Sequence, residues 1–78
     1  MKPEEIVPYI VKESGCSTIA ISDAMGRSRG YLSAYIANRR TPNIKLLAEL
    51  GDELNYDLLI RNRKTGREII IDPPEKEE

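Results

Sequence analysis

Residues 22–42 read SDAMGRSRGYLSAYIANRRTP, and the interpretation of the whole chain starts from this stretch. It contains four arginines, Lys45 follows just beyond it, and Asp23 is the only acidic residue between Cys16 and Lys45. That segment therefore carries five positive charges against one negative charge, a net of +4, whereas residues 51–78 carry five basic against eight acidic residues, a net of −3. Because the two parts have opposite charge, the total of −1 conceals a basic patch that favours an anionic partner such as a nucleic acid.

Length and composition restrict the class of protein. Seventy-eight residues form one small domain, which buries about 60–65% of the surface of its unfolded chain. With one Cys and no His, the chain offers neither an internal disulfide nor a Cys/His zinc site. It contains no nucleophile beside a base and no glycine-rich phosphate loop. We therefore expect a protein that is not an enzyme and that uses no cofactor.

The outer helices follow from apolar spacing and terminal residues. Helix one is predicted over residues 3–14 and ends at Gly15, and Pro8 either kinks it or lies close to its true start. Asn43 caps helix four, and Asn55 is a suitable left-handed terminator for it. Residues at helical spacing predict the buried stripes, namely Ile6, Val7, Ile10 and Val11 in helix one, and Ile44, Leu47, Ala48, Leu50 or Gly51, and Leu54 in helix four.

Two short helices lie between them. Ser17 is predicted to cap helix two, which buries Ile21 and Met25 and ends at Gly26. Ser28 is predicted to cap helix three, which runs to about Asn38. Helix two, a glycine turn and helix three have the spacing of a helix-turn-helix.

The C-terminal part changes to strand-like sequence. Residues 56–62 and 67–72 are rich in Ile, Leu and Tyr and predict a β-hairpin, with Gly66 at the turn position that needs a positive φ. The hairpin either folds back on its own domain or pairs with a second copy, and we expect dimerisation because an isolated ribbon is marginally stable. The tail 73–78 is expected to be disordered. The expected dimerisation residues are Tyr56, Leu58, Leu59, Ile60, Ile69, Ile70 and Ile71.

Helix three has an unusual outward face. Leu32, Tyr35 and Ile36 are predicted to face inward, which leaves mostly small residues and Arg29 on the opposite side. A small face allows close approach to another surface, and the major groove of B-DNA admits a helix. Arg29 is expected in the first turn, where it would read a base edge, and Arg39, Arg40 and Lys45 follow where flanking phosphates would lie.

Residues 21–42, ISDAMGRSRGYLSAYIANRRTP, resemble the helix-turn-helix domains of phage Cro and repressor proteins and their bacterial relatives, the lambda-repressor-like family. In that family an apolar residue, a small residue and a turn glycine precede a Ser or Thr cap and the recognition helix, and a basic pair and a proline follow. The small residue is usually Ala and is Ser22 here. The matching positions are Ile21, Ser22, Met25, Gly26, Ser28, Tyr31, Leu32, Arg39, Arg40 and Pro42.

The resemblance covers roughly residues 5–56 and implies a mainly α fold. The expected fold is a four- to five-helix helix-turn-helix domain, residues 1–55, followed by a β-hairpin, residues 56–72. The implied function is a sequence-specific regulator of transcription, usually a repressor, that binds double-stranded DNA at a palindromic operator as a homodimer. The expected location is the cytoplasm of a prokaryotic cell or phage-infected host, with no membrane and no small-molecule ligand.

The resemblance also implies roles for individual residues. The base-reading positions are Arg29, Gly30, Ser33 and Ala34. The backbone-contacting positions that it implies are Ser17, Thr18, Tyr31, Asn38 and Arg39. We add Arg27, Ser28, Arg40 and Lys45 as further expected backbone contacts.

Other interpretations of these residues stay open at this point. Arg29 is alternatively a solvated cation, and Tyr31 is alternatively a half-buried core residue. The small face of helix three is alternatively a contact for another protein. In that case the chain is a protein-binding module, such as an antitoxin or antirepressor, with the same helical fold.

Overall fold

The computed structural model describes residues 1–74 and is about half helical. Within them, a short 3-10 turn over Pro3–Glu5 leads into α1 (Ile6–Ser14), α2 (Thr18–Ala24), α3 (Tyr31–Ala37) and α4 (Ile44–Leu54). The antiparallel strands β1 (Leu58–Arg61) and β2 (Glu68–Ile71) follow. The mainly helical class and the C-terminal hairpin are thus confirmed. Residues 75–78, most of the expected acidic tail, lie outside the described residues.

Local side-chain chemistry sets most helix ends where the sequence predicts them. The Ser17 hydroxyl accepts a hydrogen bond from the Ala20 amide at 3.1 Å, and the Asn43 side chain accepts one from the Leu46 amide at 2.7 Å. Gly15 ends α1 in the left-handed region, with φ of 72°. Pro8 is the third residue of α1, and a proline is tolerated in the first turn of a helix, so the helix starts near it as one of the two interpretations expected.

The start of α3 differs from the prediction. The helix begins at Tyr31, and the residue at its N-cap is Gly30 rather than Ser28. The Ser28 carbonyl instead accepts a hydrogen bond from the Tyr31 amide at 3.0 Å, which closes a separate turn before the helix. Arg29 and Gly30 therefore lie in this turn, and the expectation that Arg29 belongs to the first turn of the helix is wrong.

One apolar core joins the four helices. Leu32 and Leu50 are fully buried at its centre. The predicted stripe of α4 needs a correction, because Ile44 is 57% exposed at the first position of the helix while Leu46 is buried. The side of the helix that carries Leu46 and Leu50 therefore faces the core. The core consists of Val7, Ile10, Val11, Ile21, Leu32, Tyr35, Leu46 and Leu50.

The end of α4 connects the core to the hairpin. Asn55 takes a φ of 63°, and this left-handed residue lets the Tyr56 amide donate to the Gly51 carbonyl at 2.8 Å. Tyr56 then packs against the core instead of joining β1. A hydrogen bond with Glu13 of α1, together with burial and the charge of that carboxylate, raises the pKa of Tyr56. The strands are consequently shorter than the predicted 56–62 and 67–72.

The hairpin has a fixed register and a tight end. Leu58 lies opposite Ile71 and Ile60 opposite Ile69, while Arg61 forms an ion pair with Glu68 at 2.8 Å. Gly66 has the expected positive φ, 77°, and its amide donates to the Asn62 carbonyl at 2.8 Å. None of the helices within residues 1–74 has the length and apolar character that a membrane crossing requires.

Candidate nucleic-acid interface

The turn between α2 and α3 has a defined geometry. Gly26 lies in the left-handed region, with φ of 72°, and the Arg27 amide donates to the Ser22 carbonyl at 2.9 Å. This pattern ends α2 sharply and directs the chain into the turn before α3. The predicted glycine turn is therefore present, and it fixes the two helices relative to each other.

Ser22 fastens α3 to α2 from inside the core. Its side chain has no exposed surface, and its hydroxyl donates to the Thr18 carbonyl at 2.7 Å and accepts from the Leu32 amide at 3.2 Å. The Leu32 amide is one of the first N–H groups of α3, which have no partner within the helix. Ser22, which lies in α2, thus satisfies an amide at the start of α3, which is the role expected of a cap at Ser28. The only signal in the sequence was a serine at a position where the resembled family usually has alanine.

The outward face of α3 consists of small side chains. Ser33, Ala34 and Ala37 are exposed, and the Ser33 hydroxyl donates to the Gly30 carbonyl at 3.3 Å. A shallow depression of about 270 Å³ lies along this face between Gly30, Ala34 and Arg40, with Ser28, Tyr31, Tyr35 and Asn38 also lining it. The structure therefore groups six of the residues expected to contact DNA, namely Ser28, Gly30, Tyr31, Ala34, Asn38 and Arg40.

Two tyrosines hold arginines beside this depression. The rings of Tyr31 and Tyr35 are 6.1 Å apart, the Arg27 guanidinium lies 5.1 Å from the Tyr31 ring centre, and that of Arg40 lies 5.9 Å from the Tyr35 ring centre. Both contacts are within cation–π range. Burial and the neighbouring Tyr31 raise the pKa of Tyr35, against the opposing charge of Arg40. Tyr31 packs against the core and is half-buried, as one of the two interpretations of this residue expected.

Arg27 also makes an ion pair with α4. Its guanidinium lies 3.1 Å from the Glu49 carboxylate, so its charge is offset within the chain. Arg27 and Lys45 line a second, larger depression of about 630 Å³ together with Glu49 and Asp52. These acids weaken the attraction of that depression for phosphate. Arg29, Arg39 and Arg40 are exposed and flank α3 in the chain, and within residues 1–74 none of the three forms an ion pair with an acidic side chain.

Arg39 has an unfavourable backbone conformation. Its φ is 49°, in the left-handed region where glycine is the usual residue, and it follows directly after the Asn38 cap of α3. The Arg40 amide then reaches the Tyr35 carbonyl at 3.5 Å, which ends the helix. A non-glycine residue at such a φ costs about 1–2 kcal/mol. An arginine here is therefore retained against a local energetic preference.

Ser17 and Thr18 lie at the start of α2. The Ser17 hydroxyl caps the helix. Thr18 is half-buried, and its carbonyl accepts a hydrogen bond from the Ser22 hydroxyl. Both residues therefore have structural roles of their own. Within residues 1–74, no group of three or more Cys, Asp or Glu side chains is placed to hold a metal ion.

Comparison with protein-family models, with curated protein sequences and with solved structures finds no significant match to this chain. The resemblance of residues 21–42 to the phage repressor family therefore stays a prediction. It depends on the residues themselves and on the geometry of α2 and α3.

Proposed function

We propose that the chain is a sequence-specific double-stranded DNA-binding regulator of transcription, in which α2 and α3 form a helix-turn-helix of the lambda-repressor-like type. The observation that carries the proposal is the outward face of α3. Small side chains occupy its middle, exposed Arg29 precedes it and exposed Arg39 and Arg40 follow it. Such a face would fit the major groove, with Arg39 and Arg40 available to the flanking phosphates and Arg29 at the end of the helix from which bases are read.

The backbone of Arg39 supports the same proposal. Strained backbone conformations persist where the surrounding structure holds them, and they cluster at functional sites. A glycine at position 39 would end α3 with less backbone strain than Arg39 does. Phosphate binding gives a reason for a long cationic side chain at this position.

The position of Arg29 modifies the expected contact with DNA. Arg29 lies in the turn before α3 and is exposed, so its side chain is not restricted by packing in a helical turn. A recognition helix reads bases chiefly from its N-terminal end, which is where this turn is placed. We assign base contact to Arg29 on this ground, with Gly30 allowing close approach of the backbone.

The homodimer belongs to the same proposal. Among the described residues, Leu59, Ile60, Ile69 and Ile70 of the hairpin are 38%, 57%, 68% and 59% exposed. They form one cross-strand pair on each face of the ribbon, Leu59 with Ile70 and Ile60 with Ile69, and exposed apolar pairs on so short a ribbon support an interaction surface. A two-fold dimer through this ribbon would present two copies of α3 to adjacent major grooves about 34 Å apart.

Substitution of Arg29 tests the assignment of base contact. We expect Arg29→Ala to lose about 1–3 kcal/mol of binding free energy on the preferred DNA site and to relax specificity at one base pair. The measurement is a binding titration on the preferred site and on its single-base variants. Arg63→Ala is the matched control, because Arg63 is an exposed arginine in the hairpin turn. An equal loss of affinity on every sequence would make Arg29 a phosphate contact instead.

A further inference from the structure

We propose that two copies of the chain pair along the outer edge of β1, with Leu59 on the two-fold axis. The two hairpins then form one antiparallel sheet in the strand order β2–β1–β1–β2. This inference rests on the proposed homodimer and specifies the surface and the register that form it.

The alternation of backbone hydrogen bonds along the hairpin shows which N–H and C=O groups of β1 face away from β2. The Asn62 amide donates to the Arg67 carbonyl at 2.7 Å, so the backbone of Asn62 is directed toward β2. Backbone direction alternates along an antiparallel strand. Ile60 and Leu58 therefore also face β2, while the amides and carbonyls of Leu59 and Arg61 face away from it. These outward groups are a template for a further strand.

The charges along β1 are complementary to a second copy of β1. With Leu59 opposite Leu59 across the two-fold axis, Asp57 lies opposite Arg61 of the second copy, and this pair occurs twice. Arg61 also pairs with Glu68 within its own hairpin, so Asp57 of the second copy adds a second carboxylate to an existing ion pair. Leu58 lies opposite Ile60 of the second copy in the same register, so the side chain of Ile60 gains an apolar neighbour. Opposite charges and aliphatic pairs directly across an antiparallel ladder stabilise it.

The outer edge of β2 lacks this complementarity. Its outward residue is Ile70, because Ile70 lies opposite Leu59 in the hairpin. A symmetric pairing centred on Ile70 would place Glu68 opposite Asp72 of the second copy, twice. Like charges directly opposite each other are destabilising. The charge pattern therefore favours the β1 edge over the β2 edge as the site of pairing.

Disulfide cross-linking of the full chain distinguishes the two edges. Both variants carry Cys16→Ser, which removes the exposed natural thiol. Leu59→Cys should form a disulfide-linked dimer under mild oxidation, because facing residues of a hydrogen-bonded pair have Cα atoms about 5.5 Å apart, within the range of a disulfide. Ile70→Cys is the matched control and should stay largely uncross-linked. Preferential cross-linking through Ile70→Cys, or through neither variant, would overturn the proposed register.

Charge reversal gives an independent test that needs no oxidation. Asp57→Arg, and Arg61→Asp combined with Glu68→Gln, should each weaken the dimer by roughly tenfold or more in sedimentation, since two attractive pairs become repulsive. The added Glu68→Gln keeps the new carboxylate at position 61 from facing Glu68 within the hairpin. An equimolar mixture of the two variants should recover a heterodimer, because every facing pair is again of opposite charge. Glu68→Gln removes only the ion pair within the chain and should weaken the dimer far less. A mixture that dimerises no better than its components would contradict the pairing.

The outcomes separate this inference from the proposed function. A dimer that binds DNA but cross-links through Ile70→Cys overturns the β1 register and leaves the DNA-binding homodimer standing. A chain that stays monomeric at high concentration and on DNA overturns both the register and the homodimer.

Discussion

At the scale of single residues, the side chain at position 22 determines how α3 starts. The buried Ser22 hydroxyl accepts a hydrogen bond from the Leu32 amide, so α3 needs no capping side chain of its own and can begin at Tyr31. The resembled family usually has alanine there, which has no hydroxyl to offer. The serine at position 22 thus explains how α3 begins without a cap from Ser28.

Removing this hydroxyl should destabilise the fold. We expect Ser22→Ala to lower the free energy of unfolding by about 1–3 kcal/mol, because the buried Leu32 amide would lose its partner. Chemical denaturation measures the effect. Ser33→Ala removes an exposed hydroxyl from the same helix pair and should change stability by less than about 0.5 kcal/mol. Equal losses in the two variants would show that the bond from Ser22 contributes no special stability.

Arg39 should show a conflict between stability and binding. Arg39→Gly relieves the positive φ and should raise the free energy of unfolding by about 1 kcal/mol, while it weakens DNA binding and flattens its salt dependence. Arg39→Lys keeps both the charge and the strain, so it should leave stability and salt dependence nearly unchanged. Thermal unfolding and salt-dependent titrations provide the two readouts. A glycine variant that binds DNA as well as the natural chain would remove Arg39 from the interface.

At the scale of elements, the sequence predicts those helix ends that depend on nearby residues. Ser17, Asn43, Gly15 and Asn55 cap or end their helices as expected, because each acts on backbone groups within a few residues. The start of α3 was not predictable in this way, since its partner lies ten residues earlier on another helix. Most of the predicted stripe of α4 faces the core, but Ile44 is exposed and Leu46 is buried instead, because the four helices together decide which side of α4 turns inward.

The junction of α4 with the hairpin depends on a glycine that local propensity does not explain. A Cβ added to Gly51 would lie 2.7 Å from the Tyr56 carbonyl oxygen, which is backbone and cannot move aside easily. We expect Gly51→Ala to cost about 1–3 kcal/mol of stability, although alanine is the better helix former. Gly30→Ala meets no atom within 4 Å and should cost less than about 1 kcal/mol. A stabilised Gly51→Ala variant, measured by denaturation, would contradict this packing.

At the scale of the whole molecule, the sequence indicates two surfaces but not their shapes. The small residues of α3 and the apolar hairpin were visible as patterns along the chain. The ion pair of Arg27 with Glu49 depends on how segments distant in sequence pack. The depression beside Arg40 and the outward groups of β1 depend on the conformation of the turns before α3 and within the hairpin. The structure therefore shifts the expected phosphate contacts toward Arg39 and Arg40 and away from Arg27.

The central claim is that this face of α3 reads DNA, and selection of binding sites from a random DNA pool, followed by a salt titration on the selected site, tests it most directly. The proposal predicts a palindromic site with half-site centres about one helical turn apart. With two or three phosphate contacts from each copy, it predicts a slope of about −4 to −5 in log affinity against log salt concentration. Failure of the pool to enrich any sequence, or an affinity that does not change with salt, would contradict the claim and favour a protein partner for the same surface.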